Sequence, residues 1–211
     1  MKNWKPIYFF AISIAVIALD QLVKYLVHIY MYEGNSIPVF GEWFSLNYQT
    51  NEGMAWGNKL EFLGDYHKVA LTSFRVVVAS LIPFYILKLY RDGAHRGLIL
   101  CGAFIFAGAV GNLIDSLIYG ILDAELLIRS TTPLFPAMHG MVIDMFYFDI
   151  YHGRNIPFIG ELDLWPVFNV ADASIFCSVI AILICNKTFF PEEVKKIEPK
   201  EEASTVESTE G

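Results

Sequence analysis

Charge is scarce in this chain. Only 18% of its 211 residues are Asp, Glu, Lys or Arg, and cations are the rarer kind, 15 against 22 acids. The net charge of -7 excludes a nucleic-acid partner, because neutralising phosphates takes a basic surface. Cysteine is rarer still. Cys101, Cys177 and Cys185 lie in apolar stretches without metal-ligand spacing, and read as small apolar residues at helix contacts. Of the five histidines, only His139 stands near a motif. Neither a Ser–His–Asp set nor a Cys–His pair offers itself. No metal and no cofactor is expected.

Apolar residues fill the gap. They make up 55% of the chain, with mean hydropathy +0.46, which points to a polytopic membrane protein. The expected class is membrane α-helical, in one domain over residues 1–190. Its four spans lie at about 7–31, 69–90, 97–122 and 166–190. The first is interrupted only by Asp20, Gln21, Lys24 and His28. It is longer than the apolar core of a signal peptide and no small-residue cleavage site follows. The second carries Arg75, and Pro83 predicts a kink. The third is rich in small residues, Gly102, Ala103, Ala107, Gly108, Ala109 and Gly111, which let helices approach closely. The fourth begins with Pro166, tolerated in a first turn.

Between the first two spans, Ile37 to Trp56 alternates and is aromatic-rich, so short strands are expected there. Segments 32–68 and 123–165 are the extracytoplasmic ones. Clusters of Lys and Arg flank the other loops: Lys2 and Lys5, then Lys88, Arg91 and Arg96, then Lys187, Lys195 and Lys196. That asymmetry places both termini in the cytoplasm. Residues 191–211 hold seven Glu against three Lys and almost no large apolar side chains, the composition of a disordered acidic tail.

A few polar residues stand where they are costly. An ionisable group inside a span costs about 2.5–3.5 kcal/mol on insertion scales and marks function by default. Asp20 and Lys24 are four apart on one helix face, as are Asn112 and Asp115, three apart, and Asn169 and Asp172. Asp20–Lys24 reads as an ion pair that orients the helix, with Asp20 an even candidate for touching a site. Asn112 and Asp115 read as supports for a site at the outer membrane boundary. Asp172 is expected about two turns into the fourth span, roughly 9 Å below its start. Asp144 is expected in a loop, framed by Met141, Val142, Ile143, Met145 and Phe146, which argues against a solvated position. Two carboxylates brought together share a proton. One can then activate water while the other polarises a peptide carbonyl.

The chain resembles the lipoprotein signal peptidases, or signal peptidase II, in five ordered blocks. They are Asp20-Gln21-x-x-Lys24, Asn51-x-Gly53-x-Ala55-Trp56-Gly57, Gly111-Asn112-x-x-Asp115, Gly140-x-Val142-x-Asp144-Met145-Phe146 and Phe168-Asn169-x-Ala171-Asp172-x-x-Ile175. Each block is weak and the ordered set is strong. The resemblance implies a four-helix membrane fold with a small extracytoplasmic β-cradle. It implies an aspartic endopeptidase of the bacterial inner membrane, active toward the periplasmic face. Its substrates would be prolipoproteins already carrying diacylglyceryl on the lipobox cysteine, cut just before that cysteine. Asp144 and Asp172 match the catalytic pair. Asn51, Gly53, Asn112, Asp115, Asn169 and Ala171 match supporting and substrate-contacting positions, joined as candidates by Asp20, Lys24, Arg75 and Gly108. Membrane lipid and globomycin-like inhibitors are the implied partners, and the chain is expected to be a monomer. Two departures stand out. The family's third block usually ends in Arg, where this chain has Ser116, and Arg75 is the candidate to supply that charge. The loops 118–138 and 147–164 are longer than the family leads one to expect.

Two other classes compete. A proton-coupled carrier would use Asp20, Asp115 and Asp172 as a relay, but no inverted repeat is visible between the halves. A scaffold would use the polar residues only to join helices. Neither needs Asp144.

Overall fold

The computed structural model describes residues 4–52, 66–122, 137–149, 152–156, 160–163 and 166–191, with backbone alone for 152–156 and 160–163. Among the described residues three helices are long and apolar enough to cross a membrane. Helix α1 is Pro6–Tyr30, with proline in its first turn, and its 25 residues rise about 37 Å, more than a hydrocarbon core of about 30 Å. Helix α2 is His67–Arg91 and runs through Pro83. Helix α3 is Arg96–Ile114. It continues through a π-helical stretch, Asp115–Tyr119, into the short α4, Gly120–Leu122.

The fourth expected span is shorter than residues 166–190. Helix α5 is Val170–Ile184, and the short α6, Asn186–Phe189, follows after Cys185. The reason lies at its start. Phe168 is drawn into an antiparallel bridge with Phe146: its N–H donates to the Phe146 carbonyl at 3.0 Å and its own carbonyl accepts from Phe146 N at 2.8 Å. Extended backbone there cannot also be helix, so the helix begins only after Asn169.

Strands β1, Ser36–Phe40, and β2, Phe44–Asn51, lie where short strands are expected and pair antiparallel as a hairpin. Strand β3, Val142–Phe148, pairs antiparallel with β2 to give a sheet of order β1-β2-β3. Strands β4, His152–Ile156, and β5, Gly160–Asp163, form a separate hairpin. The rings of Phe40, Trp43, Phe44, Phe146, Phe148 and Phe168 stack in series along the sheet. Phe40 and Trp43 end that series exposed, as aromatic residues do at a membrane interface.

Helix α3 is the central element and packs against α1, α2 and α5. Its small residues make this contact. A side chain at Gly108 would run into the Ala171 carbonyl and lie 2.6 Å from Ile175 Cγ1. One at Gly111 would lie 2.8 Å from Asp20 Oδ2. Elsewhere α1 meets the sheet through Val27, Met31, Tyr48, Ile143 and Met145. At the other end of α1, Phe9, Ile86, Ile99 and Ala103 close the packing of α1, α2 and α3. The remaining surface of the long helices is apolar, with Ile14, Leu22, Phe74, Leu81 and Phe84 exposed.

Candidate active site

Asp144 lies in strand β3, not in a loop. Val142, Ile143, Asp144 and Met145 are all buried, because β2 pairs on one edge of β3 and Phe168 bridges the other. The carboxylate is gripped from two sides. Asn51, at the end of β2, donates its amide to Oδ2. Asn169 donates to Oδ1 at 2.6 Å.

Asp172 sits in the first turn of α5, not two turns into a span, because the helix starts at Val170. Asn169 is the N-cap. Its side-chain oxygen accepts the Asp172 N–H at 2.9 Å, and Asp172 Oδ2 faces the Asn169 N–H at 3.4 Å. This reciprocal pairing is a capping box, which satisfies two N–H groups that helix geometry leaves without partners. Asp172 is half-buried. Its Oδ1 accepts the amide of Asn112 at 2.7 Å.

Two asparagines therefore join the carboxylates. Asn169 bonds Asp144, Asn112 bonds Asp172, and Asn169 Nδ2 lies 3.1 Å from Asn112 Oδ1. Asn112 is turned by Lys24, whose ammonium donates to the same Oδ1 at 3.1 Å. With that oxygen occupied twice, the Asn112 NH2 is left for Asp172.

Lys24 is fully buried and reaches further than its own helix. It pairs with Asp20 at 2.9 Å and with Asp115 at 2.7 Å. Asp20 Oδ1 in turn accepts the Ala171 N–H at 2.9 Å, so an α1 carboxylate caps the helix that carries Asp172. Gln21 donates to Asp115 at 2.8 Å and accepts from Tyr119 at 3.0 Å. A buried ion pair is costly unless every member is satisfied. Here Asp115 Oδ2, which accepts no hydrogen bond, is answered by the Lys24 ammonium at 2.7 Å, and the cluster ties α1, α3 and α5 together.

The π-helical stretch opens the end of α3 to β3. The Gly140 N–H donates to the Ser116 carbonyl at 3.1 Å. The approach is backbone to backbone, and a Cβ on Gly140 would collide with the Asp115 carbonyl oxygen. Such bulges recur at functional sites.

Helix α2 supplies a face that sequence reasoning missed in part. Arg75 donates to Ser116 Oγ at 3.0 Å. Lys68 is fully buried; its ammonium donates to the Glu52 carbonyl at 2.7 Å and lies 3.5 Å from Ser116 Oγ. Thr72, between them, donates to the Met138 carbonyl at 3.0 Å. Lys68, Thr72 and Arg75 stand at i, i+4 and i+7, one helix face. That spacing was the available signal, but a Lys at the start of an apolar run reads as an interface residue. Gly53 lies outside the described residues.

Burial, and after it the charge of Asp172, push the Asp144 carboxyl well above the usual carboxylate range. Two carboxyls on a common hydrogen-bond network, one of them favoured as the neutral acid, can carry out acid–base chemistry on a peptide bond. Among the described residues no group of three or more His, Cys, Asp or Glu could hold a metal ion.

Residues 12–188 match the family model of signal peptidase (SPase) II. A lipoprotein signal peptidase of Amoebophilus asiaticus is 34% identical over 208 residues, covering 95% of this chain and 85% of the relative. One from Porphyromonas gingivalis is 33% identical over 189 residues, covering 83% and 80%. A bacterial membrane enzyme solved by the in meso method at 1.9 Å resolution shares the fold, with a TM-score of 0.58 at 23% identity over 85% of this chain and 92% of that one. Helices, sheet and ordered motifs thus converge with the matches to known proteins: the chain belongs to the signal peptidase II family.

Proposed function

We propose that this chain is an intramembrane aspartic endopeptidase that removes the signal peptide from diacylglyceryl-modified prolipoproteins, cutting just before the lipidated cysteine. The observation that carries the reading is the hydrogen-bonded series Asp144–Asn169–Asn112–Asp172, in which one carboxyl is buried in a strand and the other caps a helix.

Asp172 is the base and Asp144 the acid. The Asp172 carboxylate takes a proton from water as the water oxygen attacks the scissile carbonyl carbon. Asp144 gives its proton to the carbonyl oxygen, so no free oxyanion forms. The tetrahedral diol then collapses. Asp172 returns its proton to the amine of the lipidated cysteine as the C–N bond breaks, and Asp144 recovers its proton from the diol hydroxyl. No metal or cofactor takes part.

The chain crosses the bacterial inner membrane four times with both ends cytoplasmic and the site toward the periplasmic face. The run from Val170 to Phe189 rises about 30 Å if counted as helix, enough for a fourth crossing. The diacyl chains of the substrate lie in the outer leaflet and bring the scissile bond beside the carboxylates, so position replaces affinity. By their motif positions Gly53 and Ala171 are supporting or substrate-contacting residues, and Gly108 sets the closeness of α3 and α5. The enzyme acts as a monomer and is blocked by globomycin.

The test is incubation of the purified protein with a diacylated lipobox peptide and its unlipidated twin. Cleavage before the lipidated cysteine, absent from the twin and stopped by globomycin, is expected. No cleavage of the lipidated peptide by monodisperse protein would overturn the reading.

A further inference from the structure

Two strand ends meet beside Asp144. The ladder between β2 and β3 closes with Asn51 opposite Val142. Asn51 carries the amide that donates to Asp144 Oδ2, and Asp144 follows Val142 by two residues. Beyond this last pair the chain leaves β2 at Glu52, and it enters β3 through Met138, His139 and Gly140.

Helix α2 holds both ends. Lys68 Nζ donates to the Glu52 carbonyl at 2.7 Å, and His67 Nε2 lies 2.6 Å from Glu52 Oε2. One turn further on, Thr72 Oγ1 donates to the Met138 carbonyl at 3.0 Å. Lys68 and Thr72 are fully buried and four apart, hence on one helix face. Main-chain carbonyls shut away from water need a donor, and here both donors are side chains of the same helix. Met138 adds a second sign of constraint. Its φ is 113°, a conformation that a residue with a side chain disfavours and keeps only where its surroundings impose it. Ser116 completes the hold from α3: its hydroxyl accepts from Arg75 at 3.0 Å, and its carbonyl accepts the Gly140 N–H at 3.1 Å.

We propose that Lys68 and Thr72 are positioning residues for the Asn51–Asp144 contact. They fasten the exit of β2 and the entry of β3 to one face of α2, and so fix the two strand ends at the separation at which the Asn51 amide meets the Asp144 carboxyl. Neither touches Asp144. Lys68 acts through the main chain of Glu52, which is bonded directly to Asn51. Thr72 acts through the lead-in to β3. Asn169 holds the other carboxyl oxygen from α5, so Asp144 is aimed from two independent sides. The inference rests on the reading of Asp144 and Asp172 as the catalytic pair, and goes beyond it by naming what keeps Asp144 in place.

The experiment is steady-state cleavage of a diacylated lipobox peptide by the parent, Lys68→Met, Thr72→Val and Thr72→Ser, with Lys68→Met and Thr72→Val also placed in an Asn51→Ala background. Methionine and valine keep the bulk of the side chains they replace and lack the donor. Each should lower kcat about tenfold and leave KM nearly unchanged, because the lipid-held substrate still binds while a reacting group slightly out of place is slow. Thr72→Ser keeps the hydroxyl and should return kcat toward the parent value. In the Asn51→Ala background each donor-less change should cost less than about twofold more, since changes that act through one contact do not add.

Parent-like kcat in both Lys68→Met and Thr72→Val would overturn the proposal. So would a raised KM at unchanged kcat, a Thr72→Ser variant as slow as Thr72→Val, or losses that multiply in full in the Asn51→Ala background. If Lys68→Met fails to fold, Thr72→Val against Thr72→Ser decides by the same criteria. If Asn51→Ala is too slow to measure, kcat and the serine rescue decide. Failure of the catalytic-pair reading shows elsewhere, as activity retained by Asp144→Asn or Asp172→Asn.

Discussion

The side-chain amide of Asn169 donates to Asp144 Oδ1 at 2.6 Å, and the same residue caps the helix that carries Asp172. One side chain thus places both acids. Asn169→Ala removes the cap, worth about 1 kcal/mol, and leaves buried Asp144 short of a donor, which costs about 1–3 kcal/mol more. Asn169→Ser keeps the cap but cannot reach Asp144. Thermal denaturation in detergent should place Ser between the parent and Ala, above Ala by the cap's contribution of about 1 kcal/mol. Cleavage should fall about 100-fold in both, the usual result of a misplaced reacting group.

Asp144→Asn and Asp172→Asn should each abolish cleavage while the protein still inserts and elutes as a single species. The amide can neither take nor give the proton. Substantial activity in either variant, measured on the lipidated peptide, would remove that residue from the chemistry.

Stability should depend on pH through Asp144. Burial raises its folded value well above the unfolded one, so the folded state favours the neutral form. That contribution is full below the ordinary carboxylate range and declines as pH rises toward the raised folded value. The loss is about 1.4 kcal/mol for each unit of displacement. From pH 4 to pH 8 the parent's melting temperature should therefore fall more steeply than that of Asp144→Asn. Equal slopes would show that Asp144 is not held neutral.

Gly140→Ala should inactivate the enzyme at a distance from either acid. The new Cβ meets two backbone groups, the Asp115 carbonyl and the Gly120 nitrogen, the latter at 2.9 Å. Neither can swing aside as a side chain would, so β3 must retreat from α3. Overpacking of this kind costs about 1–3 kcal/mol. The expected result is a lowered melting temperature with kcat reduced more than KM, read from cleavage kinetics.

Lysine 24 shows how far sequence spacing reaches. Its distance of four from Asp20 announced the ion pair, because residues four apart share a helix face. Spacing could not announce Asp115 or Asn112 as its further partners, since those lie on another helix. The small residues of α3 are a similar case. Composition signals close packing, but only the fold says that Gly108 faces Ala171 and Gly111 faces Asp20.

Hydrophobic runs, lysine and arginine placement and five ordered motifs determined, without any coordinates, that this is a helical membrane protein resembling signal peptidase II, and which two aspartates to consider. Those signals are local, and periodicity and burial cost write them directly into the chain. Tertiary structure alone decided that Asp144 belongs to a strand, that Asp172 opens a helix, and that Lys68 and Arg75 turn inward to Ser116. Phe168 spends its backbone on Phe146 instead of on a helix, and Gly140 touches α3 through its main chain. Contacts between segments far apart in sequence set each of these, and no local pattern encodes which distant carbonyl or carboxylate a residue will meet.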